Sequence, residues 1–429
     1  MAFQQGLSGL SSASRALDVI SSNVANSSTV GFKSSGVVFA DTFAAAMTGG
    51  AAGLQIGAGS NTQAVRQSFS QGGLTATNNP LDMSINGNGF FVIERNNGTT
   101  AYSRNGQFDL DKDGYIVTPL GEKLMGYQTV GADGSVSLTG TGTPRPLYIP
   151  PVGLGAKATD QVSIRANLDS SSAVPGVAPI DRDDPDTYNY TTSIRVFDSL
   201  GNEHTLGLYF VKQAVDATAT PPVPPNMWNV YESFDNAAFS TPPAPSATLE
   251  FKPDGTIKTI TPLPVVVPAV PYTFSATLVD ADPLNFPVNL AAFTQRNSAS
   301  TTYELRQNGY KPGEIAGVSV TSNGIVQGTY SNGETRALGQ VVLASFRNPN
   351  GLISLGSNLW AATTDAGEVV QGVPGEGLNG TLSSGQIEES NVDLSQELVQ
   401  MIIQQRNYQA NAQSIRTQDQ LLQTLINLR

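Results

Sequence analysis

The stretch "DLDKDGYIVTPL", Asp109 to Leu120, has the spacing closest to a chemical site. Asp109, Asp111, Asp113 and Gly114 reproduce the first half of an EF-hand loop, where alternate oxygen ligands surround calcium and a glycine permits the sharp bend. The second half fails, because Leu120 stands where the closing glutamate belongs and the flanks read as strands. A turn at Asp113-Gly114 is expected, with no metal. "NGNGFF", Asn86 to Phe91, offers Gly-x-Gly, but no third glycine follows at dinucleotide spacing and no helix opens after it, so it reads as a hairpin. His204, the sole histidine, has no second imidazole to join and reads as a surface residue. Acid pairs occur at Glu388-Glu389 and in "DRDDPD", Asp181 to Asp186, in runs that look solvated or close to a helix start. A hydrolase using them has no nominated acid and base. Met401 and Tyr408 could be imagined as a cofactor stripe, yet their seven-residue spacing is that of packed helix positions. No catalytic residue and no cofactor is expected.

Composition narrows the classes further. The 429 residues carry a net charge of −12, no cysteine, 43 glycines and 26 prolines, with 14% charged residues. That length suggests two to four compact units, and the Gly, Pro and small polar content favours strands and turns. No basic cluster lies beside aromatics, so nucleic acid is not expected as a partner. Absence of cysteine removes disulfides and thiolate chemistry. The start has no basic n-region or apolar h-region, and no window of 18 apolar residues occurs. By these rules alone the chain reads as cytosolic, with no membrane contact.

The elements fall into three zones. In the first, Phe3, Leu10, Leu17 and Val24 recur every seven residues, with Leu7 beside them and Gly6, Ala13 and Ile20 three positions on. This is a narrow helical seam, weakened by Gly6 and Gly9. In the last, Leu394, Met401, Tyr408, Ile415 and Leu422 form an unbroken seven-residue row, flanked by Leu398 and Ile426 and by polar interruptions. Ser390 and Asp393 read as its N-cap pair, and from Leu394 to Arg429 the helix would span roughly 50 Å. Between them lie a dozen Asn-Gly or Asp-Gly pairs and runs such as "GFFVIE", "SIRVFDSLGNEHTLGLYFV" and "GQVVLASF". These are hairpin signals for several antiparallel β units. "TPRPLYIPP" suggests a boundary and "TPLPVVVPAVP", Thr261 to Pro271, a loop-rich outer region.

The expected fold is mainly β with α-helical termini, an elongated nested chain. Residues 1–24 and 390–429 would form a coiled-coil-like core. Residues 25–71 and 358–389 would form connecting segments, 72–144 and 296–357 an inner β domain, and 145–295 an inserted outer β domain. Marginal helices with little charge need partners, and a heterologous contact between copies that does not close builds a helical polymer.

"ANSSTVGFK", Ala25 to Lys33, resembles the signature of the bacterial flagellar axial family, the rod and hook proteins. The resemblance continues in "LDMSINGNGFFVI", in "YSRNGQFDLDKDGYIVTPLGEKLMGY" and in Ser390 to Arg429, so it covers both termini and most of the β body. "YSNGETRALGQVVLASFRNPNGL" and "VFDSLGNEHTLGLYFVK" resemble the hook branch, and the long insertion suits it better than the distal rod branch. The resemblance implies a structural, non-enzymatic subunit of the curved hollow tube that passes torque from motor and rod to filament. It implies self-assembly as a homopolymer, and rod, hook-cap and hook–filament junction proteins as partners. It also implies an extracellular place in the flagellar hook and basal body, reached through the type III export apparatus without a cleaved signal peptide, which replaces the cytosolic reading. By the same resemblance Ala25, Asn26, Thr29, Gly31, Phe32 and Lys33 form a joint, with Gly31 ending the helix and Phe32 as anchor. The two helical rows become the polymer-core interface, and Gln400, Gln404, Asn407, Asn411 and Gln418 the channel side. A distal rod subunit is the nearest alternative. A secreted β-rich adhesin would leave both terminal seams unexplained.

Overall fold

A computed structural model describes residues 2–42, 59–131, 136–215, 226–263 and 272–427. The chain divides into two compact units, one of Met1–Pro151, Ala316–Thr329 and Thr335–Arg429, the other of Val152–Ile315 and Tyr330–Glu334.

In the first unit, helix α1 (Ala2–Ala25) packs against helix α2 (Leu394–Asn427) and against a two-stranded ribbon, β1 (Ser35–Thr42) with β2 (Gly59–Gln67). The short strand β3 (Leu74–Ala76) pairs with Gln386–Glu388, placing a segment near each end of the chain side by side. Strand β4 (Met83–Asn86) pairs with Thr381–Ser384, not with β5 (Phe90–Glu94). The hairpin expected at "NGNGFF" is therefore a bend between strands of different sheets, with Gly87 and Gly89 at φ +107° and +122°. Strand β5 is central to a thirteen-stranded sheet and pairs with β6 (Thr100–Ser103), Lys123–Tyr127 and Leu343–Ser345. Its four leading residues are all buried, which explains why "FFVI" is continuously apolar instead of alternating. Phe90 meets Phe69, Phe346 and Trp360 edge-on at centroid separations of 5.5, 5.7 and 5.9 Å, a geometry that aromatic quadrupoles favour.

The turn expected at Asp113-Gly114 is present, with Gly114 at φ +89°. The Asp111 carboxylate accepts the Asp113 and Tyr115 N–H groups at 3.0 and 2.7 Å, so this acid works as a turn cap.

The second unit is a β-sandwich. One sheet is an antiparallel meander of Tyr190–Phe197, Glu203–Lys212, Met227–Phe234, Ala247–Phe251 and Ile257–Pro262. The other is built around Val162–Asp169, which pairs in parallel with Leu284–Asn289 and Thr294–Arg296 and antiparallel with Thr301–Gln307. Because that last strand and the Lys157–Tyr310 and Leu154–Gly313 bridges belong to this unit, it closes at Ile315, later than the 295 expected from sequence. Alternation places Leu284, Phe286 and Val288 inward against Leu208, Phe210 and Trp228 of the facing sheet. The proline-rich passage expected at Thr261 to Pro271 lies, from residue 264, outside the described residues.

His204 is not a free surface residue. Its Nδ1 lies 2.6 Å from Asp235, its Nε2 lies 3.5 Å from the buried Asp198, and its ring stacks on Phe234. Burial would lower its pKa, but the two carboxylates outweigh that and raise it above the usual 6.5.

Candidate functional site

The signature segment answers its own composition at each position. After Ala25 the helix ends in turns: Asn26 N–H bonds to Ser22 O and Asn23 O at 3.1 Å, and Thr29 N–H bonds to Asn26 O at 3.1 Å. Gly31 follows at φ +72°, where a Cβ would lie 2.6 Å from Asn105 N and 2.8 Å from the Arg104 carbonyl carbon. Both the left-handed backbone and the close approach require glycine. Its N–H donates to Glu388 O at 2.7 Å, tying the end of α1 to the strand that precedes α2.

This docking delivers Lys33 into the interior. The side chain, 1% exposed, donates from Nζ to Glu388 Oε1 at 2.5 Å and to Ser70 O at 2.7 Å. Arg104 Nη1 donates to the other carboxylate oxygen at 3.2 Å, and Gly72 N–H to Oε1 at 2.9 Å. Glu388, fully buried, thus holds two buried cations, and Arg104 is further held by Gly87 O and by the Phe90 ring. Burial lowers the pKa of both Lys33 and Arg104, with Glu388 opposing it in each case. Reading Glu388 as solvated was an error, and Phe32 is only half-buried, so Lys33 is the anchor of this segment.

Two asparagines complete the joint. Asn23, 1% exposed, donates to Ser35 O at 2.8 Å and to Glu397 Oε1 at 3.0 Å, and accepts Ser35 N–H at 2.9 Å. Asn391 accepts Ser34 N–H at 2.7 Å and donates to Ser68 O at 2.8 Å. The cap of α2 is Asp393 alone, accepting Ser395 and Gln396 N–H at 2.9 and 3.1 Å, while Ser390 Oγ reaches only Val392 N–H. Sequence reading missed Asn23, Arg104, Glu388 and Asn391. "RNG" and "ESN" contain three of them, but nothing local shows what they bind.

The helix pair uses the small residues of α1. A Cβ on Gly6 would lie 3.0 Å from Ile415 Cγ1, and one on Gly9 2.8 Å from Asn411 Nδ2, so these glycines permit close approach. Ala13, Ala16 and Ile20 are buried with them. The expected row fares differently: Leu10, Leu17 and Val24 are half-buried, while Phe3 is 48% and Leu7 53% exposed. On α2, Met401 and Ile415 are half-buried and Leu394, Leu398, Tyr408 and Leu422 exposed, while the Ile426 side chain lies outside the described residues. None of the described α2 side chains is fully buried. Val399, Ile402, Ile403 and Leu421 add to the uncovered apolar surface. The row expected at the channel instead faces α1: Gln404, Asn407 and Asn411 line a cleft of about 450 Å³ with Gly9, Ser12 and Ala13. Gln400 is exposed and Gln418 half-buried.

Comparison with known proteins agrees with the residues that build this site. Family models match in chain order: Flagella basal body rod protein at 3–33, Flagellar hook protein FlgE/F/G D1 domain at 84–167, Flagellar basal body protein FlaE D2 domain at 167–310, and Flagellar basal body rod FlgEFG protein C-terminal at 383–428. The chain is 41% identical to the flagellar hook protein FlgE of Escherichia coli and 40% to that of Salmonella typhimurium, covering 100% of each chain. It is 31% identical to that of Borreliella burgdorferi, over 99% of this chain and 98% of the relative. The crystal structure of Helicobacter pylori flagellar hook protein FlgE2 shares the fold at TM-score 0.53 and 14% identity, over 72% of this chain and 98% of that one. Full-length identity to hook proteins, joined to a signature segment whose glycine and lysine are both fixed by the fold, shows that the chain belongs to the flagellar hook protein family.

Proposed function

We propose that the chain polymerises into the curved, flexible, hollow tube of the hook and passes torque from rod to filament. The observation that supports this most directly is the apolar surface left open on a helix pair that is already closed on its other side. Phe3, Leu7, Leu394, Leu398, Val399, Ile402, Ile403, Leu421 and Leu422 are exposed together, and apolar surface of that extent marks an interface. A second copy can cover it, and a repeated contact that does not close yields a helical tube. On this reading the two helical rows, including Leu10, Leu17, Val24, Met401, Tyr408, Ile415 and Ile426, form the polymer core. Ala25 to Lys33 transmits load between that core and the β body. The four-part division expected from sequence describes the working parts. Rod, hook-cap and hook–filament junction proteins contact the ends of the tube, and the type III apparatus exports the chain to the cell exterior. The role is structural, with no reaction catalysed.

Electron microscopy of the purified protein after polymerisation tests this. Curved tubes are expected. Straight rods would favour the distal rod reading, and dispersed monomers at high concentration would remove the polymer reading.

A further inference from the structure

The first unit contains a polar cavity of about 380 Å³ that the joint and the helix pair do not use. Its floor is the turn Thr118 to Glu122, closed by Gly121 N–H to Thr118 O and Thr118 N–H to Glu122 O, both at 2.8 Å, with Gly121 at φ +79°. Its walls include Asn26 and Thr29 from the end of α1, Asn105 and Gln107, and the left-handed pair Ser357 and Asn358.

The charge in this cavity is poorly matched. The Glu122 side chain is 8% exposed, and its only ion-pair partner is Arg95, whose Nε lies 3.5 Å from Oε1 and whose own side chain is one-third exposed. Glu122 Oε2 is buried and meets no hydrogen-bond donor, and Arg95 Nε meets no acceptor at hydrogen-bond distance. The wall groups are committed elsewhere: Asn358 Nδ2 donates to Val30 O at 2.8 Å, Ser103 Oγ to Asn358 O at 2.9 Å, and Asn105 Oδ1 accepts Gln107 N–H at 3.0 Å. A buried carboxylate oxygen without a donor is costly, and a charged donor would satisfy it best.

We propose that this cavity is a docking site for a cationic side chain, a guanidinium or an ammonium, supplied by a second copy of the chain. Among the described residues no group of three metal-ligating side chains occurs, so one carboxylate amid amides suits a single organic cation. An anion would meet the charge of Glu122. The chain also has suitable donors: Arg406 stands one helical repeat beyond Val399 on the uncovered apolar stripe, is exposed, and forms no ion pair among the described residues. Covering that stripe would leave such a guanidinium in need of a carboxylate. This inference rests on the hook-polymer reading, which supplies the second copy.

The test compares wild type with Glu122→Gln. The variant is neutral and of the same shape, and it gives up only a long, partly exposed pairing with Arg95, so its monomer should melt at or above the wild-type temperature. Its critical concentration for polymerisation should rise at least about tenfold. Methylguanidinium chloride at about 10 mM, a range in which weak single-site contacts are populated, should raise the critical concentration of wild type but not of the variant. Polymerisation of Glu122→Gln at the wild-type critical concentration, or an equal effect of methylguanidinium on both proteins, would overturn the inference alone. So would a variant that fails to fold or melts well below wild type, since Glu122 would then serve the monomer. Failure of wild type to polymerise at all would overturn the hook reading and this inference with it.

Discussion

Glu388 shows how much of the joint depends on one carboxylate. It neutralises Lys33 and Arg104 in an interior that lowers the pKa of both cations, and removing it would leave two buried charges with only carbonyl partners. Breaking one side of a buried ion pair typically costs about 3–5 kcal/mol, far more than the pair contributes over apolar residues of the same shape. Glu388→Gln is therefore expected to lower the stability of the first unit by about that amount, read by urea unfolding, while Glu389→Gln, next along the chain, should change it by less than about 1 kcal/mol. Equal effects would contradict the assignment. The same pair marks the limit of sequence reading, because adjacent glutamates look alike there. What separates them is that Glu388 finds its cations 355 and 284 positions away, a relation no local pattern reports. His204 was misread for a related reason, since Asp235 reaches it through strand pairing. Its raised pKa gives a signed expectation. The stabilisation is complete below the unfolded value near 6.5 and is lost as pH rises through the higher folded value. Thermal melting of wild type against His204→Gln from about pH 6 to about pH 9 should show an advantage that shrinks upward. A constant or growing gap would show that the Asp198–His204–Asp235 contact is not the cause.

Elements were more legible than the contacts between them. Asn-Gly and Asp-Gly turns at Gly98, Gly114, Gly255 and Gly333 all adopt positive φ, because the dipeptide itself favours that backbone. The pairing of β4 was not legible, because its partner Thr381–Ser384 lies far along the chain and the intervening "NGNG" carries the same local signal as a hairpin. Both terminal helices were visible as seven-residue rows, yet the row covered within one chain is the small one, Gly6, Ala13, Ala16 and Ile20. Large apolar side chains dominate a periodicity reading, but small ones decide where two backbones can approach. If copies cover the remaining stripe, a carboxylate placed there should block assembly and spare the fold. Ile402→Asp and Leu422→Asp each replace an exposed apolar side chain, so neither should destabilise the monomer by more than about 0.5 kcal/mol. In the polymer each buries a charge, at several kcal/mol unless paired. Sedimentation should show loss of polymer with unchanged circular dichroism, whereas tubes forming at wild-type concentration would show that the stripe faces solvent in the assembly.

At the scale of the whole molecule, the second unit has its own core and neither terminal helix. Its chain enters at Val152 and leaves at Ile315, and the sandwich closes on itself through Leu208, Phe210, Trp228, Phe274 and Phe286. A unit with a complete core need not be part of the polymer's inner wall. Its surface also differs from that of α2: Val174, Val177, Leu200 and Val279 are exposed as scattered single residues, and Asp181 to Asp186 form an acidic loop. Scattered apolar residues among polar ones make weak contacts that can slide, whereas a continuous stripe makes fixed ones. A tube that bends while it rotates requires both kinds, fixed where subunits must stay joined and adjustable where their spacing changes with each turn. We therefore expect the second unit to set curvature and the first to set polymerisation. Replacing residues 152–315 by a Gly-Ser linker should leave the critical concentration within about threefold of wild type, a difference of less than about 1 kcal/mol, while the tubes become straight or change supercoil. Electron micrographs decide between the outcomes. Wild-type curvature in the variant would remove the second unit from the control of shape. Complete loss of tubes, with the first unit still folded by circular dichroism, would show that its contacts hold the polymer together.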